Sequence, residues 1–425
     1  MRTLKIDTDE DPIPSESLLT LQFLTVNELF LPRLKIFECC NATMAFIPYI
    51  PLFLSPQTTT VDIGFDEGSP TVVVASTLGI LPTLCPNLER ITVNNLERDP
   101  VITDAVSGML LACNRDCLRD FRMDSPLTEA AREIVLRLPK LSRLWVVIKG
   151  DTLLPPVMLP SLKEIDIEYD DHLDWLQGFL GAALDKLEVA CFSSESKRIG
   201  DFLGALKSVA LTTSIQNTLT EFTFSTSRPW NPDYSSLISF KQLRELEIEF
   251  SCNDGCSSSV DDNTITTLAQ AMPKLETLQL GSVPCTTPTG ATVHGLITLA
   301  SCCPRLFQLR IHFLAYSLVD AAMNAAATPP YIDEPVVSRE DCVLRHLWVG
   351  NIPIQATQQS ATRVALMLLQ IFPYIYNIEY VNPEWKIIAD NVEDFRRIGA
   401  FVRRAGEVCP VTFNNLNDQP LGGRN

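Results

Sequence analysis

Two pairs of cysteines are the first residues in this 425-residue chain whose spacing invites chemistry. CNRDC (113–117) and CNDGC (252–256) each hold two thiols with three residues between them. Structural zinc needs four such ligands in one tetrahedral set. The pairs lie far apart along the chain and neither has a histidine beside it. Asp254-Gly255 and the serines after Cys256 spell a turn, and packing or turn roles account for the thiols. The same holds for Cys302 and Cys303, which precede Pro304. A third cluster, EYDDHLDW (168–175), gathers Asp170, Asp171, His172 and Asp174. It suits a divalent cation, or a charged loop opening a helix, where carboxylates favour the positive end of the dipole.

Catalytic motifs are missing. The four histidines show no H-E-x-x-H spacing, and the chain has no G-x-x-x-x-G-K-[ST], no G-x-S-x-G and no G-x-G-x-x-G opening a helix. The expectation is therefore a non-enzymatic protein with no metal and no cofactor.

Charge and composition narrow the partners. A net charge of −17 opposes nucleic acid and anionic membranes as general partners and favours basic ones. The longest apolar stretches, MAFIPYIPLFL and VVVASTLGILPTLC, are too short to span a bilayer, and the opening MRTLKIDTDEDP is not a signal peptide. Thirteen scattered cysteines, an odd number, suit reduced thiols in the cytoplasm or nucleus.

The elements that would position any site come from a recurring pattern. In CPNLERITVNNL (85–96), Leu88, Ile91 and Val93 follow L-x-x-L-x-L with Pro86 two residues ahead. LPRLKIFEC, LPKLSRLWV, LPSLKEIDI, MPKLETLQL and CPRLFQLRI repeat it, proline included. Weaker copies such as CLRDFRM, ALDKLEV, KQLRELEI and CVLRHLWV fill the intervals. First positions fall at 1, 34, 58, 88, 118, 141, 162, 184, 219, 243, 275, 306, 344 and 375, so the steps run from 21 to 38 residues.

Between the copies lie amphipathic helical segments. SPLTEAAREIVLRLP offers Ser125 as cap, Pro126 at the first helical position and an apolar face of Ala130, Ile134 and Leu138. NTITTLAQAMP offers Asn263 as cap, and QQSATRVALMLLQIFP presents Val364, Leu368 and Phe372.

This array resembles the leucine-rich-repeat family. The resemblance implies an α/β solenoid of about fourteen irregular repeats over 1–390, a curved and irregular horseshoe with a parallel sheet on the concave side and helices on the convex side. A capping helix over 391–410, with Val392, Phe395, Ile398 and Val402 on one face, closes it, and 411–425 is a flexible tail. The position eight residues after the first leucine, asparagine or cysteine in the family, is Leu96, Lys149, Asp170 or Val283 here. The backbone groups of those turns must then be satisfied locally.

The stretches SCNDGCSSSVDDNTITTLAQAMPKLETLQLG, TVHGLITLASCCPRLFQLRIHF and DCVLRHLWVGNIP look like fungal F-box proteins with degenerate leucine-rich repeats, over roughly residues 250–385. That resemblance implies a substrate receptor of a cullin-based ubiquitin ligase, whose F-box binds a Skp1-type adaptor and whose repeats hold the target. LLTLQFLTVNELF (18–30) lacks the L-P-x-E-[IL]-[LW] opening of an F-box, so the adaptor is expected only if an F-box lies upstream. The alternative is a freestanding repeat protein that binds or inhibits a partner with no ligase link.

Side chains alternate along a strand, so residues flanking the second apolar position of each copy face away from the core. They are Arg143, Trp145, Glu164, Asp166, Glu168, Glu245, Glu247, Glu249, Arg310, His312, His346 and Trp348. The expected surface is acidic in the middle, flanked on both sides by arginine or histidine with an exposed tryptophan. It suits a target with a basic segment. The long proline-containing interval 316–341 is a second candidate surface.

Overall fold

The second and third apolar positions of every copy lie in a strand. The computed structural model describes residues 2–8, 13–24, 29–94, 96, 99–148, 159–169, 182–191, 196–210, 214–227, 232–250, 260–281, 290–311, 315–324, 342–350, 354 and 357–408. Its strands are β1 (Thr3–Asp7), β2 (Ile36–Ala42), β3 (Thr60–Phe65), β4 (Arg90–Asn94), β5 (Asp120–Pro126), β6 (Arg143–Ile148) and β7 (Glu164–Tyr169). They continue as β8 (Lys186–Cys191), β9 (Glu221–Thr226), β10 (Glu245–Phe250), β11 (Thr277–Leu280), β12 (Gln308–Ile311), β13 (His346–Gly350) and β14 (Asn377–Tyr380).

All are parallel, and their order in the single open sheet is their order in the chain. The expected α/β architecture with one parallel sheet and helices alongside is therefore present. Parallel sheets are usually covered on both faces. Here β3, β7, β8, β9 and β10 alternate between half-exposed or exposed and buried positions, so one face is covered and the other open.

A backbone ladder joins the repeats where the chain enters each strand. Arg119 O accepts from Ser142 N at 2.7 Å and Arg143 N at 3.0 Å, and Ser142 O accepts from Lys163 N and Glu164 N in turn. The same double bond recurs through Thr59, Glu89, Lys163, Asp185, Thr220, Arg244, Glu276, Phe307 and Arg345. The leucines behind it pack as continuous rows; Leu144, Ile165, Leu187, Phe222, Leu246, Leu278, Leu309 and Leu347 are all buried. Each such side chain contributes roughly 1.5–3 kcal/mol. Where a copy carries Thr58 in place of its first leucine, the buried hydroxyl donates to Leu34 O at 3.2 Å and accepts from Ser55 N.

The helices differ in detail from the expected segments. Ser125 and Pro126 belong to β5, and Thr128 caps the helix Glu129–Val135 by accepting from Ala131 N. Residues Ala131, Val135 and Leu138 are buried while Ala130 is exposed, because the later start rotates the face. Asp261, not Asn263, caps the helix Asp262–Ala271, whose Ile265, Leu268 and Ala269 face the core. The helix Gln358–Ile371 buries Val364, Leu368 and Phe372 as the periodicity predicts. The last helix begins earlier than expected, at Lys386, and runs to Val408. Val392 is buried and Phe395 packs on the core, but Ile398 is 58% exposed, so the capping face ends short of it. The segment 411–425 and the side chain of Val402 lie outside the described residues.

The asparagine-free turn at Leu96 is satisfied from the next repeat and not locally. Leu96 N donates to the Asp124 carboxylate at 3.2 Å, 28 residues ahead. Lys149, Asp170 and Val283 lie outside the described residues. Asp262 shows the same device in the helical layer. Its Oδ1 accepts from Thr292 N at 2.8 Å and Gly295 N at 3.0 Å, and its Oδ2 accepts from Thr292 Oγ1 at 2.6 Å. A Cβ on Gly295 would lie 2.7 Å from Asp262 Oδ1 and 2.9 Å from Ile265 Cδ1, so both side chains would have to shift to admit it. Asp262→Ala is expected to cost about 1–3 kcal/mol by orphaning these donors, read as a lower urea midpoint. Gly295→Ala should destabilise the same joint.

Candidate functional site

The parallel register lines up the open-face side chains in rows that run across the sheet. The first row is Arg90, Asp120, Arg143, Glu164, Lys186, Glu221 and Glu245 on β4 to β10. The second passes through Arg122, Trp145, Asp166, Glu188, Thr223 and Glu247 on β5 to β10. Neighbouring strands are about 4.8 Å apart, so charges within a row interact directly.

These rows show which carboxylates of the expected acidic middle are paired with cations. Arg143 Nε lies 3.0 Å from Glu164 Oε1, and Lys186 Nζ lies 3.3 Å from Glu188 and 3.9 Å from Glu221. The first row thus alternates in sign up to Glu221. Burial works to lower the Lys186 ammonium, but Glu188, Glu221 and Asp166 together outweigh it and hold its pKa above the usual lysine value. Burial, and then Glu245 next door, pushes the Glu221 carboxyl up. Asp166 is raised to about 7, chiefly by burial and then by Glu188, with Lys186 and Arg122 opposing.

The unneutralised carboxylates lie on β10. Glu245, Glu247 and Glu249 are in register with Glu221, Thr223 and Ser225 on β9, while Thr277 and Gln279 of β11 flank the first two. Of these five neighbours only Glu221 is acidic, and no cation pairs with the three among the described residues. Glu168, half-buried, is in register with Val147 and Ala190.

The expected flanks are present in altered form. Trp145 and Trp348 are half-buried and not exposed, because adjacent strands at this spacing cover their sides. Arg310 and Trp348 are register partners on β12 and β13, and Arg310 reaches Gln279 Oε1 and, at 3.8 Å, Glu379. His346 Nε2 lies 2.8 Å from Tyr376 Oη, and its ring packs 5.1 Å from Phe307. His312 lies outside the described residues, as do 170–181, 251–259 and 325–341, which hold the acidic cluster, CNDGC and most of the second candidate surface.

The sequence reading missed one cluster. Asp120 and Arg122 flank the second apolar position of the weak copy CLRDFRM, so the same alternation points to them. Asp120 is buried, with Arg122 Nε donating to its Oδ1 at 3.1 Å and Arg90 Nε 3.0 Å from its Oδ2. Elsewhere, burial pushes the Cys113 thiol up to about 12, opposite to the thiolate a zinc ligand needs. Among the described residues, no group of three or more His, Cys, Asp or Glu is placed to hold a metal ion, and no helix is long and apolar enough to cross a membrane.

No protein-family model matches the chain, and no curated protein matches it.

Raising the pKa of Asp166 means that the folded state holds a proton the unfolded chain has already released. Stability therefore falls as pH rises from the ordinary aspartate value of 3.8 toward about 7. Asp166→Asn should raise Tm by a few degrees at pH 8 and by much less at pH 4. Equal shifts at the two pH values would contradict the burial argument.

Proposed function

We propose that the chain is a binding solenoid of the leucine-rich-repeat type whose open sheet face holds a target protein through a basic segment. In this reading it catalyses nothing. It serves as the target-holding repeat region of an F-box-type receptor in a cullin-based ubiquitin ligase. The observation that carries the binding role is the line of Glu245, Glu247 and Glu249 on β10, which no cation among the described residues pairs with, on a face the helices do not cover. A row of aligned carboxylates costs stability on its own and gains from a complementary strand of lysine or arginine. The aromatic and arginine side chains on β12 to β14 are of the type that anchors protein interfaces. The ligase role rests on the sequence resemblance.

The expected compartment is the cytoplasm or nucleus. Glu245→Lys, Glu247→Lys and Glu249→Lys together should reduce target capture from native cells at least ten-fold while leaving Tm within a few degrees. Unchanged capture would remove the open face as the binding surface. Recovery of a Skp1-type adaptor with the native full-length gene product supports the ligase role. Target capture with no adaptor supports the freestanding binder.

A further inference from the structure

The arginines gathered around Asp120 give the open face a second electrostatic character. Asp120 has a side chain only 5% exposed, whereas Arg90, Arg122 and Arg143 are 42–49% exposed. The carboxylate is thus withdrawn beneath the cations it attracts. Its two oxygens are 3.1 Å from Arg122 Nε and 3.0 Å from Arg90 Nε, with Arg143 Nη1 at 3.9 Å. One cation would suffice to neutralise a buried carboxylate; here three converge.

These guanidiniums keep donors to spare. Each carries five N–H groups. Arg122 commits its Nε–H to Asp120, while Arg90 forms the contact without an aligned hydrogen bond, leaving Asp120 Oδ2 without one. Beside them opens a cavity of about 450 Å³, lined in part by Arg90, Arg119, Arg143 and Lys163. Arg119 is exposed and makes no ion pair among the described residues. Lys163 pairs with Asp185 at 3.7 Å and Arg143 with Glu164 at 3.0 Å, and Glu89 also lines the rim. The lining thus holds four cations and four carboxylates, and one of the carboxylates, Asp120, is withdrawn below the surface. In a chain of net charge −17, this is a local concentration of cations.

We propose that β4 to β6 form a site for one oxyanionic side chain of the bound protein, set a fixed distance from its basic segment. The proposal rests on the open-face binding reading above and adds a second contact to it. Guanidinium groups bind carboxylate and phosphate oxygens through paired N–H donors, and such charge-assisted bonds are the strong ones. The geometry also sets a spacing. β5 and β10 are five strand steps apart, roughly 24 Å at about 4.8 Å per step. An extended segment lying across the strands covers that distance in about seven residues. The ligand is a bipolar segment, with lysine or arginine where it crosses β10, their long side chains reaching along the strand toward Glu245, Glu247 and Glu249, and an acidic or phosphorylated residue about seven positions away.

The test uses the full chain and labelled synthetic peptides, read by fluorescence anisotropy at fixed ionic strength. Each peptide carries three lysines, with phosphoserine, glutamate or alanine placed two or seven residues from them. Tightening of about ten-fold for phosphoserine or glutamate over alanine at the seven-residue spacing, and not at two, is expected. The two oxyanion arms tell which group the site takes. Arg119→Gln, an exposed and unpaired position, and Arg122→Gln, which leaves Asp120 two arginines, should each abolish that gain and leave alanine-peptide binding unchanged. If the lysine peptides bind through Glu245, Glu247 and Glu249 but the oxyanion adds nothing, the oxyanion site is wrong and the basic-segment reading stands. If no peptide binds, both readings fall.

Discussion

The structure depends on the doubled backbone bonds at the strand entries. Each rim carbonyl, such as that of Arg119 or Ser142, accepts two N–H groups from the next repeat. No strand of four to seven residues could hold its own polar groups satisfied, and each obtains that satisfaction only from its neighbours. Once the ladder is formed, register is fixed, because a slip by one residue would send Leu246 and Ile248 to the open face and Glu245 and Glu247 into the core. The arrangement of every side chain on the open face follows from that register.

Register explains how an acidic molecule carries a dense row of charges on one face. In the first row, opposite signs fall side by side from Arg90 to Glu221, so most of the repulsion expected from composition is cancelled between adjacent strands. Two places escape cancellation. On β10, three glutamates have only Glu221 and neutral side chains as register neighbours, and no described cation pairs with them. Around Asp120, the carboxylate is buried beneath arginines that remain 42–49% exposed. A surface with both poles a fixed number of strands apart discriminates between partners by spacing as well as by sign, which is how charge patterns confer specificity more than raw affinity.

Much of the fold was legible from periodicity. Leu88, Ile91 and Val93 announce a strand and its core contacts because burial in a strand acts on alternate residues, and the alternation is a local property of the chain. The amphipathic helix Gln358–Ile371 was readable for the same reason at a different period. Caps were less legible. Ser125 and Thr128, or Asp261 and Asn263, are equally good capping residues, and the choice falls to how far the preceding strand stays paired. The turn at Leu96 was unreadable for a stronger reason, since its partner Asp124 lies in the next repeat.

For the candidate site, the sequence by itself determined which residues face away from the core, and therefore that Glu245, Glu247 and Glu249 stand together on one strand. The tertiary structure decided which charges survive there. Arg143 is spent partly on Glu164, Lys186 partly on Glu221, and Asp120 draws in Arg90, although these partners come from segments some twenty to thirty-five positions apart. Alternation is a property of one strand and is written in its residues. Pairing is a property of the spacing between strands, and the irregular steps from one repeat to the next hide it until the backbone ladder brings them into line.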